Sequence, residues 1–168
     1  MKGALYGLVE SPKDWAVYRD ATCKTIGWKG ETGQQRRLAS TSEPHVWSIE
    51  EMKKTSDGEK WFVIGNMGVY VDELLLKAPD DILVETLKAL EEKFTLATPE
   101  WVTGEKTVTF CGYEISKTDQ GYALGQEKYI RDLIDKHKIN QTAGKDQKNL
   151  LRTSLDQSCA QLSSCVVR

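Results

Sequence analysis

The sequence predicts an α+β fold, an antiparallel sheet with helices packed on one face. Three observations carry that prediction. Trp61 to Lys77, WFVIGNMGVYVDELLLK, is an apolar run broken by two adjacent carboxylates, Asp72 and Glu73, as a buried β-hairpin would be. Leu83, Leu87, Leu90 and Phe94 fall at steps of four, three and four, one stripe of a helix over residues 81–94. Thr107 to Ser116 alternates as a strand, Lys117 to Gln120 turns, and Gly121 to Leu124 returns. The element order is helix, strand, hairpin, helix, hairpin, helix.

In chain order, Leu5-Tyr6-Gly7-Leu8 leads into Ser11-Pro12-Lys13-Asp14, which has the chemistry of a helix start. Serine suits the N-cap, proline the first helical position, and an acid follows three residues after the cap. Trp15, Tyr18, Thr22 and Ile26 continue as a helical stripe, and Gly27 is expected to end it. Gly7 either permits a tight approach to this helix or lines a pocket at its N-terminus, where free N–H groups favour phosphate. Lys29 to Ser42 is polar and glycine-containing, so a loop is expected there, with Arg36-Arg37 solvated. His45 to Ile49 alternates as a short strand, and Glu51 to Lys60 is expected to turn. His45 has no partner near it in sequence and is assigned a structural role. Pro79-Asp80 opens the second helix. Gln126 to Lys138 is a third, with Tyr129, Ile130, Leu133, Ile134 and His137 on its apolar side. Residues 141–168 are polar and weakly periodic, and a loosely ordered tail is expected there.

The 168 residues are enough for one domain with a core. Charged residues make up 29% and hydrophobic residues 39%, an ordinary soluble balance with no apolar run long enough to span a membrane. The charges in the first twenty residues exclude a signal peptide, so an intracellular location, cytoplasm or nucleus, is expected. Four scattered cysteines and two histidines fit neither a zinc site nor a disulfide framework. A net charge of −2 argues against a free-standing nucleic-acid binder.

Asp72 and Glu73 admit two readings. A hairpin turn is polar because it meets water. Alternatively, acids held at a hairpin tip between hydrophobic strands ligate Mg²⁺ without being neutralised by burial.

Four segments bear on that choice: LYGLVESPKDW (Leu5 to Trp15), Tyr70-Val71-Asp72-Glu73, FCGYEIS (Phe110 to Ser116) and LGQEKYIRDLI (Leu124 to Ile134). In order and spacing they resemble the reverse transcriptase of copia-type retrotransposons, over about residues 2–140. The resemblance implies an incomplete palm of the fingers–palm–thumb polymerase over residues 1–140, with the tail beyond it. It implies that Asp72 and Glu73 stand where the family has Tyr-x-Asp-Asp, as catalytic and metal-ligating acids for Mg²⁺, with Mn²⁺ as a substitute. Two such ions serve an in-line displacement. Tyr6, Gly7, Ser11 and Pro12 then lie against template and incoming nucleotide. Phe110, Cys111, Gly112, Tyr113 and Glu114 resemble the primer grip; the other reading of that segment is a plain core strand. The implied partners are an RNA or DNA template with primer and dNTP, and no membrane.

Two departures accompany the resemblance. Glu73 stands for an aspartate, which displaces its carboxylate by about 1.5 Å where small misplacements are costly. The family's other catalytic aspartate lies on a strand upstream of the Leu5 segment, and no acid precedes Glu10. From this the chain alone is expected to be inactive. It is also expected to be marginally stable, self-associating through the sheet edge left open beside the Tyr70 hairpin. The alternative is a non-catalytic retroelement remnant or a nucleic-acid-contacting module.

Overall fold

The computed structural model describes residues 11–137, 153–155 and 163–167. Three layers are built from them: two helices, a seven-stranded sheet, and a four-stranded sheet. All the strand pairings are antiparallel. The expected α+β class is met. The small sheet on the opposite face from the helices was not foreseen.

Helix α1 (Ser11–Cys23) begins at the Ser-Pro signal but ends before Ile26, giving way to strand β1 (Gly27–Lys29). Its buried side is Arg19 and Cys23, with Trp15 half-buried, and not the side of Tyr18, which is 56% exposed. The i, i+4, i+8 row includes a charged residue, Arg19, whose guanidinium pairs with Asp20 at 2.9 Å. A hydropathy scan passes over such a row.

The segment expected to be a loop is a hairpin of β1 with β2 (Gln35–Ser40). β2 pairs in turn with β3 (Val46–Thr55), and β3 with β4 (Gly58–Tyr70). Strand β3 therefore runs through most of the stretch expected to turn, and the turn contracts to Ser56-Asp57. Its far half is charged and exposed, a two-stranded ribbon in which Lys53 lies 5.8 Å from the Phe62 ring.

Strand β4 turns at Val71-Asp72 into β5 (Glu73–Ala78), which buries Leu74, Leu76 and Ala78 and half-buries the residues between. Helix α2 (Asp80–Glu91) follows Pro79 and lays Leu83, Leu87 and Leu90 on the sheet, as the four-three spacing required. Phe94 lies past the helix end and still packs on the same core. Cys23 of α1 and Met67, Val69 and Leu76 of the sheet belong to that core too, so both helices cover one face.

The other face, at Leu75, carries the small sheet. Its strands are β7 (Val108–Phe110), β8 (Tyr113–Thr118), β9 (Gly121–Gly125) and β10 (Thr153–Leu155). The continuous strand expected from Thr107 to Ser116 is broken at Cys111-Gly112, so Val108 and Ile115 become partners across a hairpin. Helix α3 (Glu127–Lys136) buries none of its residues among the described residues, and Tyr129 is 58% exposed.

The tail departs furthest from expectation. Strand β11 (Ser163–Val167) is inserted between β5 and β6 (Glu100–Trp101), pairing with both. Apolar Cys165, Val166 and Val167 have the side chains a central strand needs. The polar residues around them hid the signal. The hairpin edge expected to lie open is therefore covered in part. β5 has neighbours on both sides, and β4 has them from Asn66 to Gly68. From Gly58 to Gly65, β4 pairs only with β3 among the described residues, and Val63 there is 61% exposed.

Candidate active site

The last rung of the β4–β5 hairpin is Tyr70 opposite Glu73, so Val71 and Asp72 form a two-residue loop. Asp72 is exposed and Glu73 half-buried, which places both acids at the tip as the break in the apolar run required. Val71 has φ of 51°, a left-handed conformation that β-branched residues avoid. Such strain, on the order of 1–3 kcal/mol, survives only where the surroundings over-determine it. Here the surroundings are two paired strands and a tether. The Trp15 indole N–H donates to the Val71 carbonyl at 3.0 Å, and the Trp15 ring stands edge-on to Phe94.

Ser11 and Pro12 sit one turn before Trp15 in α1, so this tether carries the start of the helix towards the tip. Tyr6 and Gly7 lie outside the described residues. The sequence marks Trp15 as part of a helical stripe and not as the residue holding the loop; nothing local announces a bond to a carbonyl fifty-six positions away.

The second hairpin comes to the same place. Cys111 and Gly112 form its loop with φ of 52° and 76°, the two positive values of a type I′ turn. The Cys111 backbone N–H donates to Glu73 Oε2 at 2.8 Å, tying the two tips together. Phe110 approaches the backbone of Gly68 in β4. Tyr70 and Tyr113 flank the tips at 51% and 46% exposure. Glu114 faces elsewhere: its Oε2 accepts the backbone N–H of Glu127 at 3.0 Å, capping the start of α3, which has no side-chain cap of its own.

The two acids thus differ in kind. Glu73 is engaged by Cys111, whereas Asp72 has no hydrogen-bond or ionic partner among the described residues. Mg²⁺ retains several waters and takes one or two carboxylates; the residues of the tip that could hold it are the exposed Asp72 and the adjacent Glu73. No group of three acid, histidine or cysteine side chains suited to a metal is present among the described residues. Cys23 and Cys165 are not candidates, since burial raises their thiols to about 11 and about 12. No helix of the described residues is long and apolar enough to cross a membrane.

The chain is similar to the retrovirus-related Pol polyprotein from transposon RE2 of Arabidopsis thaliana, at 27% identity over 135 residues. It is 28% identical over 135 residues to the Pol polyprotein from transposon RE1 of the same plant. Each match covers 80% of this chain, which spans about 8% of the length of either relative. No family model matches, and no solved structure matches. These similarities link the chain, at a coarse level, to the Pol polyproteins of copia-type retrotransposons.

Proposed function

We propose that the chain contributes the palm of an RNA-directed DNA polymerase, with Asp72 as a metal-ligating catalytic acid and Glu73 beside it. One observation carries the proposal: the Glu73–Cys111 hydrogen bond, which brings the Tyr-Val-Asp-Glu tip and the Phe-Cys-Gly-Tyr tip into contact. These are the two hairpins that the copia-type resemblance assigns to chemistry and to the primer end. No residue between them predicts that they meet.

In this reading Asp72 and Glu73 would hold Mg²⁺, which when bound offsets charge on the phosphates during nucleotidyl transfer. The chain's own work is positional. Glu73 fixes the second hairpin, Trp15 fixes the loop carbonyl, and Tyr70 and Tyr113 offer ring faces on which bases stack. Template, primer and dNTP are the partners. Among the described residues the edge of β4 away from β3 is unpaired along Gly58–Gly65, with Phe62 and Val63 exposed, which supports self-association through that edge as a further proposal; Val63→Lys should suppress it in light scattering.

The test of function is Mn²⁺ binding, followed by paramagnetic resonance, together with primer extension on an RNA template. Asp72→Asn should weaken Mn²⁺ at least ~10-fold, the loss of one charged ligand. With no third acid, histidine or cysteine grouped with this pair among the described residues, no primer extension by the chain alone is expected. Mn²⁺ binding that survives Asp72→Asn and Glu73→Gln unchanged would sink the catalytic assignment. The second reading, a nucleic-acid-contacting module without catalysis, is favoured by the engagement of Glu73 in a structural bond. It predicts that a primer–template duplex binds equally well with and without divalent cation.

A further inference from the structure

Strands β5 and β6 both run antiparallel to β11, and hence parallel to each other, with α2 as the crossover between them. Their separation is two strand spacings, about 10 Å, one strand too wide for them to pair directly. The gap is closed by a segment remote from both in sequence. Ser164, Cys165, Val166 and Val167 within it are each at most 4% exposed.

The segment fits on both faces. Cys165 and Val167 enter the core beneath α2, while Val166 enters the core shared with the small sheet. Five residues pair with β5 and two with β6, and the Val102 N–H adds a bond to the Ser164 carbonyl at 3.0 Å. β11 forms no hairpin with an adjacent strand: β10 and α3, before it in the chain, belong elsewhere. Until residues 163–167 are seated, β5 presents an unpaired edge flanked by Leu74, Leu76 and Ala78.

We propose that the β5–β6 gap is a strand-acceptor site, and that a second copy of this chain is its partner, donating residues 163–167 in exchange. Every contact of β11 is reproduced when the identical segment arrives from another molecule, so exchange costs little in interface energy. Concentration decides the outcome. A tethered strand competes at an effective concentration on the order of mM, so the closed monomer prevails when dilute and exchanged dimers form when chains fold together near that level.

The site is tested with the full chain carrying Val166→Asp, whose own strand cannot seat, and a fluorescent peptide of residues 161–168. Saturable binding is expected, at least ~10-fold weaker for a peptide bearing the same substitution, because an unpaired carboxylate would enter a core. Should the variant not fold alone, recovery of a cooperative melt on adding the peptide is the same positive result. The absence of both binding and recovery overturns the site. For the partner, the unmodified chain is refolded at about 1 mM, then diluted and sized by light scattering. A dimer that fails to form when excess peptide is present during refolding supports exchange. No dimer, or one indifferent to the peptide, as pairing along β4 would be, overturns it.

Discussion

Two groups of acids lie at the large sheet, one shared with helix α2, and they are treated in opposite ways. At one, Arg36 is 7% exposed and its guanidinium reaches both Glu51, at 2.8 Å, and Glu85 of α2. Glu85 also accepts the Trp28 indole N–H at 3.1 Å and the Glu31 backbone N–H at 3.2 Å. Gly30 makes room, since a Cβ there would stand 2.7 Å from an Arg36 nitrogen that two carboxylates hold in place. At the other, roughly 25 Å further along β4, Asp72 stands exposed with no partner among the described residues, on a loop strained at Val71. The acids that hold the fold together are half-buried and paired with a buried cation. Asp72, without a partner among the described residues, sits where a ligand can reach it, in keeping with the role proposed for it.

Breaking the paired group should have the largest effect. Arg36→Ala leaves Glu51 and Glu85 half-buried without their cation, and a loss of about 3–5 kcal/mol in urea denaturation is expected. A change under 1 kcal/mol would mean that water already compensates the two acids.

Acid should weaken the same paired group. Burial alone would push the Glu85 carboxyl up, but hydrogen bonds from Arg36, Glu31 and Trp28 outweigh it and hold the group below its ordinary value. A depressed folded value means stability that is present above the unfolded glutamate range, near ~4.3, and lost as pH falls through the folded value. Glu85→Gln should therefore lower stability at pH 7 and flatten the decline below pH ~4. Equal acid profiles for wild type and Glu85→Gln would refute the pairing.

The tether and the strain make smaller, opposite contributions. Trp15→Phe keeps a ring against Phe94 but removes the N–H to Val71, an expected cost of about 1 kcal/mol. Val71→Gly relieves the left-handed valine and should stabilise the chain by up to about 1 kcal/mol, the relief exceeding the added chain entropy. If it destabilises, the valine side chain makes a contact worth more than its strain. The smallest thermal effect is expected at Asp72→Asn, within about 0.5 kcal/mol, although this is the substitution expected to cost the most in Mn²⁺ binding.

Much of this was written locally. Pro79 with the leucine spacing of α2, the Ser-Pro start of α1, and the carboxylates interrupting Trp61–Lys77 each encode their element within a dozen residues, because caps, helical periodicity and turn polarity are short-range physics. The tip position of Asp72 and Glu73 followed from the sequence for that reason. Tertiary structure alone decided the rest. Arg36 resembles a solvated loop residue until β2 lies beside β3 and α2 brings Glu85. Ser163–Val167 is too short and too polar in its setting to announce a central strand, and becomes one only because β5 and β6 leave a gap of its width. The meeting of Glu73 with Cys111 spans thirty-eight positions and joins a side chain to a backbone N–H. Every residue has such an N–H, so no residue type marks the one that will be used.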